Sequence, residues 1–223
     1  MDFTPSPRAR HWLARLDAFI ERYVLPHNAA WHAAVQAGRH PPPFLEDLKA
    51  LAREEGLWNL FLPALRAHEP GTALSNLDYA PLAESMGRLP WAAEVFNCQA
   101  PDTGNMELLH RFGTPAQRER WLAPLLGGAM RSAFAMSEPD VASSDPTNLQ
   151  TTVRREGDML VLQGRKWFIT GAAHPRCRLL IVVCCNADEG AEAGGGHQRH
   201  SLVLVPIDAP GVRVERNISV VHH

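Results

Sequence analysis

Two short segments hold the residues of this chain that are best suited to do chemistry. In residues 134–145, a Ser-Glu-Pro turn at 137–139 leads into small and polar residues that end in Ser-Ser-Asp at 143–145. Small residues let a backbone approach a ligand closely, and hydroxyl and N–H groups there can hydrogen-bond a flat polar heterocycle or a phosphate. Residues 166–170 add aromatic faces and a hydroxyl group. Together, the two segments predict the wall of a ligand site.

Each segment alone has a common structural explanation. A Trp-Phe pair such as residues 167 and 168 is usually part of a core, and a Ser-Ser-Asp run is usually a turn or a helix cap. Glu138 precedes a proline that stops strand pairing, and we interpret it as a structural residue rather than a catalytic base. Only the combination of the two segments, in this order, favours a functional site.

The elements that must position these segments change character near residue 130. Before it, apolar residues recur at helical spacing, with a capping-box pattern at 114–117 and a proline at 26 that ends or bends the first helix. After it, apolar and β-branched residues form short runs separated by turn signals, without intervening helices. The predicted strands are 133–137, 151–155, 159–163, 165–170, 179–185, 201–207 and 212–220. We therefore expect an α+β chain with a helical domain at 1–130 and a largely antiparallel β domain at 131–223.

Composition excludes several classes of function. The chain has 223 residues, of which 45% are hydrophobic and 21% charged, and its formal net charge of -2 argues against nucleic acid as a partner. No apolar run approaches the ~20 residues that span a bilayer, and the N-terminus has no apolar signal-peptide region. The four cysteines form no CxxC pair, which fits a reducing compartment. We expect a cytoplasmic protein.

Motifs that identify other enzyme classes are absent from the sequence. There is no GxGxxG, GxxxxGK[ST], HExxH or GxSxG pattern, so a Rossmann site, a P-loop, a zincin and an α/β-hydrolase are unsupported. His197 and His200 are close together in a glycine-rich stretch, but no cysteine or carboxylate partner lies at metal-ligand spacing. We interpret both as part of a solvated loop and expect no metal site.

In order and spacing, the two segments resemble the acyl-CoA dehydrogenase family. That family has a strand ending in [TS]-E-P, a small-residue loop closing on S-D, a hairpin, and a strand of the type G-x-K-x-W/F-I-T-x-G. The matching residues here are 137–139, 144–145 and 164–171. Further similar stretches lie at 102–109, 112–114, 121–126 and 210–212. The resemblance therefore covers most of the chain.

The resemblance implies a fold and a set of site residues. The fold has N-terminal helices, a middle β-barrel and a C-terminal four-helix bundle, with FAD between the barrel and the bundle. The residues at family positions that contact FAD are Phe134, Met136, Ser137, Ser144, Phe168, Ile169 and Thr170. Ser144 also matches the serine on the acyl-CoA phosphate path. Ser143 is expected to share the role of Ser144 at FAD, because this loop is one residue longer than the commoner form.

The resemblance also implies an activity and partners. The reaction is α,β-desaturation of an acyl-CoA thioester by α-proton abstraction and hydride transfer to flavin N5. The family takes its base from the C-terminal bundle, so we expect the base beyond His223 and expect this chain to be a truncated piece, inactive alone. The implied partners are an acyl-CoA substrate, an electron-transfer flavoprotein and, for the full-length form, further copies in a homo-oligomer. Two alternatives stay open: an acyl-CoA oxidase-like enzyme of the same architecture, and a non-catalytic fragment.

Overall fold

The computed structural model describes residues 4–63, 65, 69, 71–187 and 199–218. The described chain forms two compact units. The first, called the helical unit, contains the described residues up to 107 together with 126–128. The second, called the sheet unit, contains 108–125 and the described residues from 129 to 218. Within the described ranges, no helix has the length and apolar character needed to cross a membrane.

Helices form the first part of the chain. In the described residues the α-helices are α1 (Pro7–Phe19), α2 (Asn28–Gln36), α3 (Phe44–Glu54), α4 (Asn76–Met86), α5 (Ala92–Val95), α6 (Asp102–Phe112), α7 (Pro115–Gln117) and α8 (Ala123–Leu126). A π-helical turn, Ile20–Val24, follows α1, and the chain then passes through a 3-10 turn that contains Pro26. The helical prediction for this part of the chain is confirmed.

Local sequence sets several helix boundaries. Ser6 caps α1 by accepting the Ala9 N–H at 3.0 Å, and Pro7 occupies the first helical position. The predicted capping box is present at α7. The Gln117 N–H donates to the Thr114 hydroxyl at 3.2 Å, and the Gln117 side chain accepts the Thr114 N–H at 2.9 Å. That prediction is confirmed, because a capping box involves only near neighbours in the sequence.

Aromatic side chains fill the interior of the helical unit. The Phe19 ring lies edge-on to the Phe96 ring, with centroids 5.3 Å apart, and both side chains are almost fully buried. Trp31 and Trp91 are stacked, with centroids 4.8 Å apart and ring planes 8° apart. Such large side chains bury much apolar area each and dominate the energetics of a core.

The sheet unit is built around one five-stranded sheet. Its strands are β1 (Arg131–Ala135), β2 (Thr152–Glu156), β3 (Met159–Gln163), β4 (Cys177–Asn186) and β5 (His200–Pro206). Strand β4 is central, since it pairs in parallel with β1 and β2 and antiparallel with β5. Strands β2 and β3 form the predicted antiparallel hairpin. The α+β order of helices followed by a sheet is confirmed, and so are two antiparallel pairings, β2 with β3 and β4 with β5. The sheet is nevertheless mixed, because β4 pairs in parallel with β1 and β2.

The mixed pairing follows from the path of the chain between β1 and β4. The β2–β3 hairpin and its flanking loops lie between these strands in sequence, and they give the chain enough length to bring β4 back in the direction of β1. The antiparallel prediction assumed that strands without intervening helices pair with their sequence neighbours. Here a hairpin serves as the connection that a helix usually provides.

Two predicted strands are not strands in the described residues. Strand β3 ends at Gln163, and residues 164–170 are irregular, with Phe168 at a φ of 51°, which is incompatible with an extended chain. Residues 212–218 are not in a strand either, and 219–220 lie outside the described residues. Neither described segment pairs with a neighbouring strand, and β-branched and aromatic residues favour a strand only where such pairing is available.

Candidate functional site

The first wall of the candidate site begins at the end of β1. Strand pleating turns Ala133 and Ala135 into the interior, where they are at most 4% exposed. It turns Phe134 and Met136 to the other face, where both side chains are only partly buried. Ser137 follows and is also partly buried. The three predicted residues of this wall therefore lie together at one strand end with their side chains partly open.

The loop after Ser137 gives the two candidate serines different surroundings. The Ser143 hydroxyl accepts the Glu138 N–H at 2.8 Å and lies 3.3 Å from the carbonyl oxygens of Glu138 and Val141. The Ser144 side chain is exposed, and its hydroxyl has no hydrogen-bond partner in the part of the chain that the structure describes. Ser143 therefore closes the loop on itself, and Ser144 leaves its hydroxyl open to a ligand.

Asp145 ends this loop as a cap. Its carboxylate accepts the Thr147 N–H at 3.0 Å and the Thr147 hydroxyl at 2.6 Å, at the start of the 3-10 turn Pro146–Asn148. The carboxylate thus fixes the direction in which the chain leaves the loop, and Ser144 immediately before it stays at the surface.

A buried ion pair connects this loop to the second segment. Glu138 is 4% exposed, and its carboxylate accepts a hydrogen bond from Lys166 Nζ at 2.8 Å. The same carboxylate accepts the N–H groups of Gln150 at 2.7 Å and Thr151 at 2.9 Å. The Lys166 ammonium also donates to the Met136 carbonyl oxygen at 2.9 Å. Every bond of this cluster joins parts of the chain that are separate in sequence.

The cluster holds Glu138 in its charged form. Burial would raise the pKa of this carboxyl, but the hydrogen bonds, led by that from Lys166, outweigh burial and lower the pKa to about 2. A general base needs a pKa near the working pH and room to reach the proton it removes. Glu138 has neither, so its geometry is that of a structural residue.

The second wall is the irregular segment after β3. The Trp167 N–H donates to the Ser137 carbonyl oxygen at 3.0 Å, which brings the two walls side by side. Phe168, at its left-handed φ of 51°, is 51% exposed, and its ring centroid lies 4.7 Å from that of Trp167. Large apolar side chains that remain this open beside a polar loop are typical of a binding surface.

The other two predicted residues of the second wall differ in their roles. Ile169 packs against the core cluster of the sheet and therefore anchors the wall. Thr170 is exposed, and its hydroxyl has no hydrogen-bond partner among the described residues. Of the two, Thr170 has the side chain that is free to meet a ligand.

The groups that the two walls leave open match the chemistry of a flavin. The hydroxyls of Ser137, Ser144 and Thr170, and the N–H of Ser137, have no partner within the described ranges. Beside them, Phe134 and Phe168 offer apolar faces. A flat ring with large apolar faces and one polar edge is bound by this combination of apolar surface and a few placed donors. The residues present therefore fit FAD.

Sequence reasoning missed two parts of the site. Trp167 lies in the segment predicted as a wall but was not named as a site residue, and it is 41% exposed beside Phe168. The partnership of Glu138 and Lys166 was also missed, because two charged residues 28 positions apart in the sequence give no local signal that they pair. The amides of Gln150 and Thr151 carried no signal, because every residue except proline has an N–H group.

The histidine pair considered for a metal site is only half described. His200 lies opposite Cys185 in the β4–β5 ladder, with its Nε2 3.4 Å from the cysteine sulfur. His197 lies outside the described residues. Across the described ranges, no group of three His, Cys, Asp or Glu side chains is arranged to hold a metal ion.

Comparison with known proteins gives two matching family models. The acyl-CoA dehydrogenase N-terminal domain matches residues 6–129, and the acyl-CoA dehydrogenase middle domain matches residues 133–221. The protein named Probable acyl-CoA dehydrogenase FadE2, from Mycobacterium tuberculosis, is 50% identical over 226 residues, which cover 99% of this chain and 53% of the relative.

Solved structures show the same relationship. A candidate acyl-CoA dehydrogenase from Mycobacterium abscessus is 48% identical and superposes with a TM-score of 0.89, over 97% of this chain and 54% of that chain. An acyl-CoA dehydrogenase from Bacillus anthracis, solved in complex with FAD, shares the fold at 24% identity and a TM-score of 0.69, over 97% of this chain and 34% of that chain. The chain thus spans about half the length of the mycobacterial relatives. With family models matching both of its parts, this chain belongs to the acyl-CoA dehydrogenase family.

Proposed function

We propose that this chain is part of an FAD-dependent acyl-CoA dehydrogenase and forms the wall against which the flavin ring lies. The observation that carries the proposal is that the two adjoining segments carry open donors on Ser137, Ser144 and Thr170 and the exposed ring of Phe168. Family membership supports the reaction class, which is α,β-desaturation of an acyl-CoA thioester. FAD, when bound, supplies the acceptor for the hydride that leaves the β-carbon.

Each residue of the wall has a separate task in this proposal. The Ser137 N–H and hydroxyl would hold the polar edge of the ring and would stabilise the negative charge of reduced FAD. Thr170 donates to the ring from the second wall. Phe134, Met136 and Phe168 exclude water, which strengthens those hydrogen bonds because the local dielectric constant falls.

Phosphate recognition is assigned to Ser144 alone. Its hydroxyl is exposed and open, and the small residues around it let a phosphate of FAD or of acyl-CoA approach the backbone. The Ser143 hydroxyl is occupied by the Glu138 N–H at 2.8 Å, so using it for a ligand would open the loop.

The general base belongs to another element of the full enzyme. The α-proton of the thioester must pass to a carboxylate with a pKa near the working pH, and Glu138 is held with its pKa at about 2. The electrons leave for an electron-transferring flavoprotein, and the full enzyme assembles as a homo-oligomer. These parts of the proposal rest on family membership and not on residues of the wall.

The first test is FAD binding by the purified chain. We expect saturable binding with one FAD per chain and quenching of flavin fluorescence, because the ring lies against Phe168 and Trp167. Thr170→Val and Ser144→Ala each remove one donor and should weaken binding by about 1 kcal/mol. Phe112→Ala is a matched control, since it removes an exposed aromatic ring far from the wall in sequence. Absence of saturable binding would contradict the wall and favour a non-catalytic chain.

The second test places the wall in a whole enzyme. A chimera in which this chain replaces the matching segment of the Mycobacterium tuberculosis relative should convert a saturated acyl-CoA into its 2-enoyl-CoA with an artificial electron acceptor. Little oxygen consumption is expected from a dehydrogenase, whereas rapid hydrogen peroxide formation would identify an oxidase. An inactive chimera beside an active parent protein would contradict the proposed reaction.

A further inference from the structure

We propose that Glu138 and Lys166 act together as positioning residues for the flavin, by aiming the Ser137 N–H at the ring and holding the second wall beside it. The inference rests on the proposed function, because it names what keeps that same site in its binding geometry. Neither residue touches the ligand. Both act through the backbone of the first wall.

Two hydrogen bonds fix the peptide groups on either side of Ser137. The Lys166 ammonium donates to the Met136 carbonyl oxygen at 2.9 Å, and the Trp167 N–H donates to the Ser137 carbonyl oxygen at 3.0 Å. The Met136–Ser137 peptide bond is trans, so its N–H points away from its carbonyl oxygen. Holding that carbonyl on Lys166 therefore directs the Ser137 N–H to the opposite side as an open donor.

The ammonium is held in turn by a fixed carboxylate. Glu138 is bonded to the N–H groups of Gln150 and Thr151, which directly precede β2, at 2.7 and 2.9 Å. The side chains of Lys166 and Glu138 are 10% and 4% exposed, so water hardly competes for their 2.8 Å contact. The pair thus connects the first wall, the second wall and the start of β2 through one buried centre.

Packing alone does not account for an ion pair at this position. Taking two charges out of water is unfavourable, and apolar side chains of similar volume often hold two segments together equally well. An apolar pair, however, could not donate a hydrogen bond to the Met136 carbonyl oxygen. The Lys166 ammonium does so, and it also polarises the Met136–Ser137 peptide group, which makes the Ser137 N–H a stronger donor. Because reduction adds negative charge to the flavin ring, we expect the effect to favour reduced over oxidised FAD.

The test measures the preference of the chain for reduced over oxidised FAD, from FAD titrations and the midpoint potential of the bound flavin. Lys166→Met removes the ammonium and keeps most of the volume. The double variant Lys166→Met with Glu138→Gln also removes the charge that would be left unpaired. We expect the preference for reduced FAD to fall about tenfold in both variants. This fall corresponds to a decrease of about 30 mV in the two-electron midpoint potential of the bound flavin. Lys166→Arg restores a cationic donor and should recover part of it.

Arg165→Met is the matched control. Arg165 is the neighbouring cation, its side chain is 71% exposed, and it lies 3.9 Å from the Asp140 carboxylate. Its removal deletes a positive charge without touching the Met136 carbonyl, so the preference should change less than about twofold.

The outcomes separate this inference from the proposed function. An unmodified chain that binds no FAD overturns both. Normal FAD binding with an unchanged preference in the double variant overturns only the positioning role. Equal losses in Lys166→Met and Arg165→Met would indicate a general charge effect and also overturn it. If Lys166→Met does not fold, the double variant, which leaves no buried unpaired charge, supplies the measurement.

Discussion

The two aromatic pairs of this molecule have opposite surroundings. In the helical unit, Trp31 and Trp91 are 6% and 3% exposed, and the Trp91 indole N–H donates to the Asn28 side-chain oxygen at 3.0 Å. In the sheet unit, Trp167 and Phe168 are 41% and 51% exposed. The same class of side chain therefore builds a core in one unit and an open face in the other.

The difference lies in the backbone that holds each pair. Trp31 lies within α2 and Trp91 is the N-cap residue of α5, and both rings are buried at the interior of the helical unit. Phe168 instead occupies the left-handed region, which costs about 1–2 kcal/mol for a residue with a side chain. Core packing does not explain a strained residue whose ring stays exposed, and such strain is concentrated at ligand sites. Exposure combined with backbone strain, rather than aromatic content, distinguishes the proposed wall from the core of the helical unit.

Polar side chains show the same contrast. Asn59 and Asn97 are buried in the helical unit, where the Asn97 amide donates to the Asn59 side-chain oxygen at 2.7 Å. The hydroxyls of Ser144 and Thr170 in the sheet unit are exposed and have no partner in the described residues. Buried polar groups must be satisfied internally, whereas open ones remain available to a ligand.

The largest expected effect is on stability, and it tests the difference between the two aromatic pairs directly. Trp91→Ala removes a buried ring and should lower the free energy of unfolding by about 3–5 kcal/mol. Trp167→Ala removes an exposed ring and should lower it by less than about 1 kcal/mol. Urea unfolding followed by far-UV circular dichroism measures both. A loss in Trp167→Ala as large as that in Trp91→Ala would show that the sheet-unit pair is core.

The pH dependence of the free energy of unfolding tests the buried state of Glu138, in contrast to the open residues of the wall. The pKa of Glu138 falls from 4.5 to about 2 on folding, so its ionised form is stabilised in the folded chain. The shift corresponds to about 3 kcal/mol, fully present above about pH 4.5 and lost as the pH falls through about 2. Glu138→Gln should lack this contribution, so its free energy of unfolding should fall less than that of the unmodified chain as the pH is lowered from about 4.5 to about 2. Parallel stability curves for the two proteins would contradict the assignment.

A pair of substitutions at Phe168 tests the backbone strain. Glycine usually makes a chain less stable than alanine does, but at a φ of 51° the order should reverse. We expect Phe168→Gly to be more stable than Phe168→Ala by about 1 kcal/mol. Thermal unfolding of the two variants measures the difference. If alanine is the more stable of the two, the left-handed conformation is not present.

The smallest expected effect separates the two serines. Ser143→Ala removes the acceptor of the Glu138 N–H and should destabilise the chain by about 0.5–1.5 kcal/mol. Ser144→Ala should change stability by less than about 0.5 kcal/mol, because its hydroxyl is exposed. Chemical denaturation of both variants provides the comparison. A larger loss in Ser144→Ala would reverse the assignment of the structural and the ligand-facing serine.

Several features of the fold could be predicted because they depend on near neighbours. The capping box at Thr114 and the β2–β3 hairpin each involve residues a few positions apart, and both are present as expected. The parallel pairing of β1 with β4 involves segments on either side of that hairpin, and the sequence pattern did not predict it. The candidate site shows the same division. Motifs predict which segments form it, whereas the different surroundings of Ser143 and Ser144 are visible only in the structure.

The sequence by itself determined the order of a helical part followed by a β part and the family to which the chain belongs, since both depend on local propensities and motif spacing. Only the tertiary structure decided that the sheet is mixed, that residues 164–170 leave the sheet, and that Lys166 reaches both Glu138 and Met136. The physical reason is the distance along the chain over which each effect acts. Propensities and caps act over a few residues, whereas strand partners and the burial of a charge depend on how distant segments meet.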